Sequence, residues 1–180
     1  MRRISSARAR PSGLLPDSFM VSNHNGAPLR LARALQDEAA TAALGRELAG
    51  GIQPGMVIYL SGDLGSGKTT LTRALLRAAG VSGSIKSPTF TLVELYTVSR
   101  LYFYHFDFYR FKSSEEWEEA GLREYFGGPA VCIIEWPEKA AAHLPAPDIR
   151  ITMAIDGTGR RVTMIATTEA GKNCLTRLQQ

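Results

Sequence analysis

The chain has 180 residues, 44% of them hydrophobic and 21% charged, a length and balance that suit one soluble domain with a sizeable core rather than two. No apolar run approaches the roughly 18 residues of a membrane span. The formal net charge of +4 does not mark a nucleic-acid-binding body: residues 1–30 carry five arginines (Arg2, Arg3, Arg8, Arg10, Arg30) against one acid, Asp17, and the rest balances at 16 Lys/Arg and 16 Asp/Glu. A charge excess confined to a tail speaks of the tail's contacts, not of the fold.

That tail, rich in Arg and Ser and poor in acids, has the composition of an organellar transit peptide but also of a disordered or mis-started extension, with Met20 as an alternative start. It reads as a disordered basic segment over residues 1–30, followed by one domain over 31–180. Cys132 and Cys174 match no metal-ligand spacing. Cys132 lies in an apolar run, where a free buried thiol is expected. This fits a reducing, cytoplasmic setting.

From Leu31 onward, Asp37 is positioned to cap a helix through EAATAALGRELA that Gly50-Gly51 would end. MVIYL, residues 56–60, is a short apolar run of buried-strand type. The loop SGDLGSGKTT follows. KTTLTRALLRAAG then spaces Leu71, Ala74, Leu75 and Ala78 as on a helix, with Gly80 as the stop. TFTLVELY and LYFYHFDFYR read as a hairpin. SSEEWEEAGLREYF reads as a helix opened by a Ser113/Glu116 capping box, with Trp117 inward and the acids in solvent. AVCIIEW is a further buried strand, and IRITMAI and RRVTMIAT flank the turn signal DGTG. The succession predicts an α/β domain, a single P-loop-like unit with a mixed sheet flanked by helices.

Gly62, four residues, then Gly67-Lys68-Thr69 match the Walker A pattern. Glycines let successive N–H groups curl around one anion, and the helix that begins there adds its positive end. The loop Gly62, Asp63, Leu64, Gly65, Ser66, Gly67, Lys68, Thr69, Thr70 is thus read as a phosphate cradle. Lys68, taken as solvent-facing, brings a cation to the β- and γ-phosphates. The Thr69 hydroxyl suits Mg²⁺, a hard ion that prefers oxygen. By average composition roughly one chain in two hundred of this length matches by chance, but the match also falls between a strand and a helix.

Such a loop needs a carboxylate near the metal. Glu135, ending VCIIE, and Asp107, in HFDFYR, are the candidates. Either could instead be structural: Glu135 a surface carboxylate at a strand end, Asp107 a partner for Arg110 or His105. His105 reads as a core histidine or one that supports a neighbour. A GTPase is disfavoured because no NKxD follows. The DxxG of Asp156–Gly159 lies in a late hairpin. A small-molecule kinase would share the loop but usually adds an arginine-rich lid, where this chain has an aromatic hairpin.

LSGDLGSGKTTLTRALL, KSPTFTLVELY, YHFDFYR and IIEWPEK, in this order and at these distances, resemble the TsaE (YjeE) family of ATPases required for threonylcarbamoyladenosine in tRNA; the resemblance spans roughly residues 31–165. It implies an ATP- and Mg²⁺-dependent hydrolase with Thr69 and Glu135 on the metal. It further implies that Asp107 acts near the γ-phosphate or its water, and that Ser87 to Phe90 form a nucleotide-sensing loop. Glu38, placed ahead of the first expected strand, and Gly159, in the late hairpin, would approach the nucleotide. The implied partners are TsaB and TsaD, with tRNA met only through their complex and no membrane involved. The residues themselves reach nucleotide hydrolysis or transfer, and do not reach tRNA. A small-molecule kinase and a nucleotide-binding adaptor without turnover remain the alternatives.

Overall fold

The computed structural model describes residues 20–22, 28–113 and 115–180. The expected disordered tail falls largely on residues 1–19 and 23–27, outside the described residues. The elements in order are β1 (Met20–Ser22), β2 (Arg30–Leu35), α1 (Glu38–Ala49), β3 (Val57–Ser61), α2 (Lys68–Ala78), β4 (Val93–Val98) and β5 (Leu101–Asp107). There follow α3 (Glu115–Glu119), β6 (Val131–Glu135), β7 (Ile149–Asp156), β8 (Gly159–Ala166) and α4 (Glu169–Arg177). Short 3-10 turns lie at Leu122–Tyr125 and Pro137–Lys139.

Among the described residues eight strands form one sheet in the order β1-β2-β8-β7-β3-β6-β5-β4. The centre is parallel, with β3 between β6 and β7 and β5 alongside β6, and antiparallel pairs form both flanks. The apolar runs sit where a parallel sheet buries both faces. Along β3, Ile58 and Leu60 join the core under α1, α2 and α4, whereas Val57 and Tyr59 point to an aromatic layer with Phe106, Phe108, Phe111 and Trp117. The same period of two puts Val131 and Ile133 of β6 on the helix side, Cys132 and Ile134 on the aromatic side.

The local signals largely hold. The Asp37 carboxylate accepts from Ala40 N–H at 2.8 Å, Gly50 caps the end of α1, and Gly157 turns the β7–β8 hairpin at φ 60°. Trp117 is buried, as expected. Three expectations are corrected. Arg30–Leu35 is a strand paired with β8, so two strands precede Glu38, which opens α1. The β4 strand begins only at Val93, because Leu92 N–H turns back to the Pro88 carbonyl at 2.7 Å. The helix expected over 113–126 breaks at Gly121 (φ 62°) into α3 and a 3-10 turn, and Glu116 accepts from Lys112 N–H rather than Ser113. The C-terminal helix α4 was not read from the sequence.

Candidate functional site

The loop between β3 and α2 leaves the sheet beside β7. Gly62 has φ 140°, and a Cβ there would lie 2.1 Å from the Met153 carbonyl oxygen, so only glycine passes. Gly67, at φ 100°, turns the chain into α2 without a side-chain cap. The first N–H groups of that helix are left for an anion.

Lys68 is the first residue of α2 and only 4% exposed, not solvent-facing as expected. Its ammonium donates to the Gly62 carbonyl at 2.6 Å, the Asp63 carbonyl at 2.9 Å and Ser66 Oγ at 3.4 Å. The Trp136 ring lies over it, 4.2 Å from Nζ to the centroid. Burial pushes the Lys68 pKa below its ordinary value, opposed by the charges of Glu135, Asp107, Glu138 and Asp63. Trp136 reaches this place because it follows Glu135 at φ 58°, which turns the chain sharply at the strand's end.

Glu135 and Asp107 end adjacent parallel strands in register with each other. Neither is a surface group: Glu135 is 2% and Asp107 3% exposed. Glu135 accepts from the Thr69 hydroxyl at 3.0 Å through Oε2, and its Oε1 lies 2.9 Å from His105 Nε2. His105 is fully buried, and among the described residues its Nδ1 has no partner. The tautomer that donates from Nε2 to the carboxylate therefore leaves a bare nitrogen, not a stranded N–H. Asp107 Oδ1 accepts from Tyr109 N–H at 2.9 Å, and Oδ2 accepts from the Thr89 hydroxyl. Ser87 Oγ lies 2.9 Å from Thr89 Oγ1. The structural alternatives for Asp107 fall away, since Arg110 instead stacks over Phe90 at 4.2 Å and His105 serves Glu135.

One pocket of about 210 Å³ is lined by Leu64, Gly65, Gly67, Lys68, Thr69, Thr70, Asp107, Tyr109, Glu135 and Trp136. Thr70 also lines a second cleft of about 450 Å³ between α1 and α2, shared with Glu38, Arg46, Arg73 and Arg77. Gly62, Asp63 and Ser66 shape the loop behind the first pocket. Gly159 lines neither, and instead packs against the end of β2, where a Cβ would meet the Leu35 carbonyl oxygen at 2.4 Å.

Sequence reasoning missed Trp136, Thr89 and Arg160. Trp136 lay inside a quoted motif without a role, and Thr89 lay in the expected nucleotide-sensing loop without a role of its own. Arg160 had no local signal, yet its guanidinium donates to loop carbonyls. The oxygens of Thr69 and Glu135 converge beside a lysine and a helix start. That donor set fits Mg²⁺, which takes few protein oxygens and completes its shell with water and phosphate.

A glycine loop joining a buried parallel strand to a helix, with its lysine and hydroxyl facing a carboxylate from the next parallel strand, defines a P-loop NTPase-like α/β domain. Comparison with known proteins narrows the class. The family model described as threonylcarbamoyl adenosine biosynthesis protein TsaE matches residues 35–163, most of the chain, and the chain belongs to that family. Relatives bearing the name tRNA threonylcarbamoyladenosine biosynthesis protein TsaE include one from Haemophilus influenzae, 46% identical over 67% of this chain and 76% of its own. Another, from Treponema pallidum, is 36% identical over 76% of this chain and 98% of its own. The crystal structure of Bacillus subtilis YdiB superposes with a TM-score of 0.72 at 29% identity, covering 84% of this chain and 95% of that one. Among the described residues no helix is long and apolar enough to cross a membrane.

Proposed function

We propose that this chain is a Mg²⁺-dependent ATPase that acts as a switch, or reset step, in the cytoplasmic assembly installing threonylcarbamoyladenosine in tRNA. Its partners in this reading are TsaB and TsaD, and tRNA is met through them. Family membership supports the pathway. The observation that carries the chemistry is the convergence of Lys68, Thr69, Glu135 and Asp107 on one pocket.

The small pocket suits the phosphates, and the cleft beyond Thr70, with Glu38 on its wall, suits the nucleoside. Thr69 and Glu135 would hold Mg²⁺, which supplies charge neutralisation on the phosphate oxygens when bound. Lys68 exchanges the Gly62 and Asp63 carbonyls for the β- and γ-phosphate oxygens, an exchange of one set of charge-assisted hydrogen bonds for a stronger one. Asp107, aimed by Tyr109 N–H, orients a water on the γ-phosphate and takes its proton. That role needs Asp107 Oδ2, the oxygen Thr89 holds. Engagement of Asp107 then competes with the Thr89 hydroxyl, and with Ser87 Oγ at 3.5 Å, for Oδ2 and loosens the loop carrying Phe90, which is 82% exposed. A partner that grips Phe90 in one loop position can favour that nucleotide state by its differential affinity and no more.

The test measures phosphate release with and without a TsaB–TsaD pair, and pair affinity with a non-hydrolysable ATP analogue against ADP. Stimulated release and tighter binding with the analogue are expected. Equal affinities with no stimulation would refute the switch, and turnover appearing only with an acceptor metabolite would make the protein a small-molecule kinase.

A further inference from the structure

Arg160 stands at the start of β8, next to Gly159. Its guanidinium crosses to the glycine loop: Nε donates to the Ser66 carbonyl at 3.1 Å and Nη2 to the Gly65 carbonyl at 2.9 Å. Nη1 turns back to the Gly159 carbonyl at 2.7 Å and the Thr158 carbonyl at 3.4 Å. One rigid fork thus ties the β7–β8 turn to the middle of the loop. The turn is itself fixed, because Gly159 is pressed against the Leu35 carbonyl.

We propose that Arg160 is a positioning residue of the phosphate cradle. A peptide's C=O and N–H point in opposite directions, so holding the Gly65 and Ser66 carbonyls toward Arg160 fixes the direction of the N–H groups that follow them, those of Ser66 and Gly67. The Ser66 N–H donates to the Asp63 carbonyl at 3.1 Å and so closes the loop's turn, while the Gly67 N–H is the one that an anion at the start of α2 would meet. Arg160 also satisfies carbonyls that would otherwise turn inward and repel phosphate. A lysine could bond one carbonyl at a time and would orient the loop less well. The inference rests on the reading of this loop as a phosphate site and adds the residue that shapes it from behind.

The test uses Arg160→Gln and Arg160→Lys in the full chain, with ADP and inorganic tripolyphosphate as probes and amide hydrogen exchange of the nucleotide-free protein. Arg160→Gln is expected to raise both dissociation constants about tenfold, equivalent to about 1.4 kcal/mol, with Arg160→Lys in between. Exchange should quicken over residues 63–68 and stay unchanged over β3 and β6. Equal loss for both probes distinguishes cradle shaping from nucleoside recognition. Loss confined to ADP would overturn the proposal, as would wild-type affinity and exchange in Arg160→Gln. If Arg160→Gln does not fold, Arg160→Lys decides by the same readings. If the wild-type chain binds neither probe, the nucleotide reading fails, while the exchange comparison still decides whether Arg160 orders the loop.

Discussion

Glu135→Gln separates the structural and the metal-binding roles of one buried carboxylate. Glutamine keeps the volume and can keep both hydrogen bonds: its carbonyl accepts from His105 Nε2, and its amide donates to Thr69 Oγ1, replacing contacts of 2.9 and 3.0 Å. Two bonds to a charged group become neutral, a loss of about 1 kcal/mol each. Against this, the chain no longer buries a carboxylate, whose desolvation costs several kcal/mol and is only partly offset by Lys68. The two effects oppose, so stability should change by less than about 2 kcal/mol, a shift under about 8 °C in Tm. Metal binding has no such compensation, because an amide N–H₂ now occupies the side of Glu135 that faces Thr69. Mg²⁺ should strengthen nucleotide binding at least about tenfold less than in the wild type, about 1.4 kcal/mol. Thermal melts, and calorimetric titrations of nucleotide in Mg²⁺ and in EDTA, measure the two effects. An unchanged Mg²⁺ enhancement would remove Glu135 from the metal, and global unfolding would show that its charge is needed by the fold.

Asp107→Ala should leave Mg-nucleotide affinity within about threefold of wild type and cut hydrolysis by about 10² or more, the usual contribution of a positioned base; equal, mild effects on both would refute the role. Lys68→Ala should abolish productive ATP use while the chain still folds, checked by phosphate release beside circular dichroism. Phe90→Ala should weaken the TsaB–TsaD effect and spare nucleotide affinity, since the ring is exposed and outside the pocket. Burial raises the Cys132 thiol to about 12 and the Cys174 thiol to about 11 from 9.0. Both should resist alkylation at pH 8 until the chain is denatured. Their protonated forms are favoured by folding, so the stability they contribute is fully present below pH 9 and is lost as pH rises toward 12; urea titrations at pH 8 and pH 11 check the sign.

The strand–loop–helix around Gly62–Thr69 was legible because the Walker A pattern is almost wholly local: glycines for the turn, a lysine, a hydroxyl, a strand before and a helix after. Glu135 and Asp107 were legible as strand-end acids, but the register that pairs them was not, since it follows from β5 and β6 lying parallel across a long connection. RLARAL gave no clear strand pattern because its pairing partner, β8, lies more than a hundred residues away. EAGKNCLTR offers little apolar periodicity, and Cys174 and Leu175 become core only by packing with α1 and β8. Lys68 looked exposed because the ring that covers it belongs to Trp136, at the end of a different strand. Arg160 was invisible for a deeper reason. Its acceptors are main-chain carbonyls, which every residue has, so no side chain at Gly65 or Ser66 signals the contact.

The loop is held from two sides that differ in kind. On the β7–β8 side the contacts are the Met153 carbonyl closing over Gly62 and the Arg160 fork on Gly65 and Ser66. These are main-chain groups and a guanidinium, and neither changes with the state of a phosphate. On the β5–β6 side are carboxylates, hydroxyls and a tryptophan, several of which the proposed cycle requires to exchange partners: Thr69 and Lys68 with the nucleotide, Asp107 Oδ2 with Thr89. Only that side continues into an exposed aromatic, Phe90, with Arg110 stacked on it. In the proposed switch, a signal of nucleotide state leaves the site along β5 and the loop before β4, while the β7–β8 hairpin serves as the fixed wall against which that motion is made.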